Sequence, residues 1–148
     1  MTKAHKAGNS RLRPMKVLNL DEALIAIFIG AMDANHHVAR EELARAHHLI
    51  WSTRRFRRKS GETVGRLIDR MKRLLEDQQA KVVMDVAAKT IPVRLRPSAF
   101  ALVADLLLAD GKIDPPERKF LQRLAVNFGI DTRIAGQAID VMLVKNHL

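Results

Sequence analysis

Asp110, Asp114 and Glu117 are the closest-set oxygen donors in this sequence, falling in Ala109-Asp110-Gly111-Lys112-Ile113-Asp114-Pro115-Pro116-Glu117. Carboxylates at that density suit a hard divalent cation. Gly111, Ile113 and Glu117 also keep the spacing that a helix-loop-helix calcium site gives its turn glycine, its β-branched residue and its final bidentate glutamate. The upstream half of that pattern is missing, because Leu106 and Leu108 stand where the first two oxygen ligands belong. Even with Asp105 nearby the set is thin for calcium, which takes roughly six to eight oxygens. The same residues have a plainer use. Asp110 orders a turn, Gly111 takes a backbone angle other residues resist, and Asp114 with Glu117 caps the helix that follows.

A second kind of chemistry lies in the middle of the chain. Arg54, Arg55, Arg57, Arg58 and Lys59 form a cationic cluster, with Arg66, Arg70, Lys72 and Arg73 after it and Glu62 and Asp69 offsetting them in part. The formal net charge is +10. Such a field draws nucleic acid, an anionic lipid surface or an acidic protein without choosing among them, and the bland alternative is a solvated helix end. Trp51 and Phe56 add aromatic faces beside the cluster, although a tryptophan so placed is more often a core anchor. The pairs His36-His37 and His47-His48, with Glu41 or Glu42, invite a zinc reading. Adjacent histidines on a helix point about 100° apart, however, so one of each pair at most faces a common centre. His47 is expected to be partly buried.

Catalysis finds no foothold. The chain has no cysteine, glycine-rich phosphate loop or nucleophile elbow. The lack of cysteine also excludes disulfides and thiolate zinc sites and suits a cytoplasmic protein. No apolar run is long enough for a membrane span. No motif requires a cofactor, and a divalent cation at the acidic turn is the one ligand of that kind the residues suggest.

The elements that must position these groups all have helical spacing, so the fold class is all-α. Asn19-Leu20-Asp21-Glu22 opens a first helix ending near Asp33 to His36. A second runs from about Val38 into the arginine cluster. Ser60 caps a third with Val64, Leu67, Ile68 and Met71 inward, and a fourth covers Ala80 to Ala88. Thr90 to Pro97, with its two prolines, is a connector between two helical halves, and Ser98 opens a fifth helix. Asp114-Pro115-Pro116-Glu117 starts the sixth, Gly129 stops it, and Asp131 caps a seventh carrying Ile134, Ala138, Val141 and Met142.

Setting Val38 beneath Ile113 aligns Ala34 to Glu42 with Ala109 to Glu117, so the chain repeats its turn once, with Asn35, Val38 and Glu42 matching Asp110, Ile113 and Glu117. This pattern resembles the TerB-like tellurite-resistance family, whose members carry two related helix hairpins, each with an Ala-Asp-Gly-x-β-branched-x-x-x-Glu turn. The similarity spans Leu18 to Leu143. The second copy matches the family pattern, whereas the first has Asn35 and His36 in place of Asp and Gly.

The resemblance implies a compact bundle of about seven helices built from two related hairpin halves, with residues 1–17 a flexible basic tail and 18–148 a single domain. It further implies a noncatalytic adaptor in a tellurite-resistance or general stress response. Its basic face would comprise Arg54, Arg55, Arg57, Arg58, Lys59, Arg66, Arg70 and Arg73 and would meet an acidic protein partner or an anionic surface at the inner face of a membrane. The alternatives are a cation-binding regulatory domain centred on Asp110, Asp114 and Glu117, and nucleic-acid binding through Arg54 to Arg73.

Overall fold

Helix α1 (Leu20–Asp33) begins where the sequence supplies a reciprocal cap. Asn19 Oδ1 accepts from the Glu22 N–H at 2.8 Å, and Glu22 Oε1 accepts from the Asn19 N–H at 3.1 Å. From Ala23 to Met32 every residue except the half-buried Leu24 is buried, so this helix has no solvent face. A helix apolar all round must be wrapped by others. In the computed structural model, which describes residues 17–34 and 40–148, the wrapping is done by α3 (Gly61–Asp77), α4 (Ala80–Thr90) and α5 (Arg96–Leu107). Close approach to α4 explains Gly30, since a Cβ there would stand 2.6 Å from Met84 Sδ.

Helix α2 (Arg40–Ser52) packs on α5, while α6 (Pro115–Phe128) lies against α4 and α5, and α7 (Thr132–Lys145) closes the bundle on α5. The all-α expectation is met with seven α-helices, a 3-10 turn at Val93–Leu95 and no strand among the described residues. One continuous core runs through both expected halves. It includes Ile25, Ile27 and Phe28 of α1, Phe56, Val83 of α4, Phe100 and Val103 of α5, and Leu121 and Phe128 of α6.

Several boundaries and exposures differ from the sequence reading, among them the end of α4, which runs on to Thr90. Helix α2 ends at Ser52 and does not enter the arginine cluster, because Ser52 Oγ and Thr53 Oγ1 donate to the carbonyls of Leu49 and Ile50 at 2.8 and 2.7 Å. Such side-chain bonds offer the backbone an alternative to the helix. Helix α5 starts at Arg96, ahead of Ser98, since Pro97 sits in a first turn that needs no N–H donor. The inward face of α7 is Ala135, Ala138, Ile139 and Met142, which leaves Ile134 and Val141 exposed. His47 is exposed as well, because α2 buries Ala46, Leu49 and Ile50. Asn35, His36, His37 and Val38 lie outside the described residues, as do the tail 1–16 and the side chains of Glu41 and Glu42.

Arg96 ties the bundle together where the two halves meet. Its Nε donates to the Ile91 carbonyl at 2.8 Å and its Nη1 to the Phe128 carbonyl at 3.2 Å, joining the C-terminal ends of α4 and α6. A cation at two helix C-termini is favoured by both dipoles, and the guanidinium fork reaches both acceptors at once. Arg96→Lys is expected to lower unfolding free energy by about 1.5–3 kcal/mol, the scale of one charge-assisted hydrogen bond lost, as measured by urea denaturation.

Candidate functional site

The acidic turn is built from the end of α5 downward. The Leu108 N–H reaches the Ala104 carbonyl at 2.9 Å, and the Gly111 N–H then turns back to the Leu108 carbonyl at 3.0 Å. Gly111 takes φ +76°, the left-handed conformation glycine adopts without penalty. Asp110 Oδ1 accepts from the Lys112 N–H at 3.0 Å, and Glu117 Oε1 accepts from the Asp114 N–H at 3.0 Å as the returning arm of the α6 cap. Glu117 is only 4% exposed. Leu106 and Leu108, at the positions of missing calcium ligands, are buried in the core.

These carboxylates therefore serve the turn and the helix cap. The structure does not draw Asp110, Asp114 and Glu117 into one centre, and among the described residues no three His, Asp or Glu side chains converge as metal ligands. His47 and His48 are solvent-facing.

Asp105 has a role its spacing did not reveal. It is buried on α5, and its two oxygens each accept from Lys145 Nζ at 2.9 Å, with Asn146 Nδ2 at 3.2 Å from Oδ1. The end of α7 is thereby drawn down onto the acidic turn, where a Cβ on Gly111 would stand 3.2 Å from the Asn146 carbonyl oxygen. A carboxylate inside the apolar run Val103 to Leu108 was the available signal, since a buried charge needs a partner. That the partner would be Lys145 depends on tertiary packing.

The basic residues separate into three groups. Arg55 and Lys59 turn back on Asp21 in the first turn of α1, with Lys59 Nζ 3.2 Å from Oδ2. Helix α3 carries Arg66, Arg70, Lys72 and Arg73 against Glu62, Asp69, Glu76 and Asp77, so its charge is zero over its length. Arg66 also pairs with Glu62 one turn away. Within this cluster the excess thus narrows to Arg54, Arg57 and Arg58, all exposed on the connector 53–60, and none of their side chains has an ion pair or hydrogen bond to a described residue. The connector holds its shape because Phe56 is 1% exposed and anchors it in the core, while the Arg57 N–H reaches the Thr53 carbonyl at 3.1 Å. Phe56 is thus no stacking platform, and Trp51 packs half-buried on the core.

Comparison with family models finds a match over residues 21–139 to the family described as tellurite resistance protein TerB. The match runs from the first turn of α1 into α7 and takes in both the connector and the acidic turn. The chain belongs to the TerB family. Searches of curated proteins and of solved structures find no match. Among the described residues no helix is long and apolar enough to cross a membrane.

Gly111 offers a direct probe of how tightly the turn is built. Gly111→Ala is expected to cost about 1–2 kcal/mol for a left-handed non-glycine residue, with Asn146 backbone crowding adding to it. Thermal unfolding followed by circular dichroism measures the loss.

Proposed function

We propose that this TerB-family chain is a cytoplasmic, noncatalytic interaction domain of a tellurite-resistance or general stress-response system, and that its cationic connector binds an acidic protein partner. The observation that carries this reading is the isolation of Arg54, Arg57 and Arg58 on a connector fixed in place by Phe56. Elsewhere among the candidate basic residues the fold supplies carboxylates: Asp21, shared by Arg55 and Lys59, and four along α3 that balance its four cations. The anchored backbone of the connector is already ordered, so the entropy cost of docking falls on the arginine side chains alone, whose planar guanidiniums match carboxylates.

The acidic turn supports the same reading from the other side of the balance. One oxygen each of Asp110 and Glu117 accepts a turn or capping bond, which supports a structural role for the turn between α5 and α6. A nucleic-acid ligand would ask for a longer cationic track than three arginines, because α3 next to the connector carries alternating charge.

The decisive experiment compares affinity capture from stressed and unstressed cells by the parent chain and by Arg54→Glu/Arg57→Glu/Arg58→Glu. The parent is expected to retain an acidic partner that the triple variant loses, with the purified pair weakening steeply between low and physiological salt. Equal recovery by both proteins would remove the connector from the interface. A DNA duplex and phosphatidylglycerol vesicles, assayed in parallel, are expected to bind weakly and equally to both.

A further inference from the structure

Beside the connector lies an open groove of about 780 Å³, bounded by α1, residues 53–56, the 3-10 turn and α5. Its floor is apolar: Leu24 and Phe28 of α1, Phe56, Leu95 and Leu102. Phe28 and Phe56 are buried at its base, whereas Leu24, Leu95 and Leu102 are half-exposed along its sides. Arg54, Arg55 and Arg94 stand among the lining residues, and no carboxylate does. Arg55 is held by Asp21, but Arg54 and Arg94 are exposed and make no ion pair or hydrogen bond with a described residue.

We propose that this groove receives the apolar face of an acidic amphipathic helix from a protein partner, with flanking carboxylates meeting Arg54 and Arg94. The inference rests on the interaction-domain reading above and adds to it a specific seat, an apolar anchor and the chemistry of the partner segment. Apolar anchors at three- and four-residue spacing laid in a hydrophobic groove are a recurrent mode of helix recognition. Guanidiniums beside it favour a segment of opposite charge and disfavour a basic one.

Charge decides between this occupant and the two that the chain itself could supply. Residues 1–16 carry Lys3, Lys6, Arg11, Arg13 and Lys16 and no acidic residue, so they would set like charge against Arg54 and Arg94. Helix α7 of a second copy has an exposed apolar stripe in Ile134, Val141 and Val144, but Lys145 is held by Asp105 and Arg133 offsets Asp140, so the stripe brings no net acidic charge to Arg54 and Arg94. Shape decides against a flat bilayer. A concave floor with Phe28 and Phe56 at its base fits a convex helix, whereas a planar surface would meet only the rim.

The test selects displayed random peptides about sixteen residues long, roughly 24 Å as a helix, on the full chain. Enriched peptides are then measured by fluorescence polarisation against Arg54→Glu/Arg94→Glu and Leu95→Ser/Leu102→Ser. They are expected to carry Asp or Glu beside helically spaced apolar residues, and to lose about tenfold or more in affinity with either double variant. Loss with the arginine pair alone would leave the interaction-domain reading standing and overturn the groove. No enrichment, or peptides indifferent to both pairs, would overturn it too. Phosphatidylglycerol vesicles that displace the peptides and depend on Leu95 and Leu102 would assign the groove to lipid and overturn the protein partner. Circular dichroism melts check that each variant folds, and Leu102→Ala replaces the leucine pair if that pair does not.

Discussion

The burial of α1 is the constraint on which everything else in this bundle depends. A helix with buried residues on almost every side cannot lie on a surface. It needs α3, α4 and α5 around it, and they need connections short enough to bring them there. Full burial of a leucine- or isoleucine-sized side chain contributes about 1.5–3 kcal/mol. The run Ile25, Ile27, Phe28 and Ile29 therefore favours enclosure strongly before any polar contact is considered. Polar groups then determine how the enclosing helices are fixed: Asn19 with Glu22 at the start of α1, Arg96 across two helix ends, and Asp105 with Lys145 at the far end.

Those polar devices explain why charge and function separate in this fold. Asp21 holds Arg55 and Lys59, and the carboxylates of α3 balance its own cations. Glu117, which looked most like a cation ligand, is buried against the backbone of Asp114. Beside one apolar groove the uncommitted charge is local: Arg54, Arg57 and Arg58 stand on the connector and Arg94 across from it. Function in such a domain comes from what the fold leaves unanswered, and here unanswered charge and open apolar surface coincide.

Periodicity made the helices legible because each buries one stripe, and caps made their starts legible because an orphan N–H group needs a nearby acceptor. Asn19, Ser60, Asp114 and Asp131 all stand at helix starts as read, and Gly129 adopts the left-handed stop at φ +66°. The TerB resemblance, read from the turn at Asp110 to Glu117, agrees with the family match over residues 21–139. The end of α2 was misplaced because Ser52 and Thr53 can either continue a helix or bond back to it, and only context selects. Which face of α7 turns inward was not legible because Ile134 and Ala135 are neighbours, and only packing selects the small residue that fits against α5. The cationic cluster was read too broadly for a related reason. The acids that balance α3 include Glu76 and Asp77, which lie beyond the stretch where the arginines draw attention.

The position of α1 in the chain gives the fold a history during synthesis. Its helix is complete at Asp33, but α4, against which it packs, is not finished until Thr90. At ~5–20 residues per second, a nascent chain holds that apolar helix without α4 for several seconds after making it. Until then its buried isoleucines face water or whatever hydrophobic surface is nearest, including those of other nascent chains. Helix α1 is therefore made before the helices that cover it. Efficient production of this domain depends on how well that exposed helix is shielded while the rest is still being made.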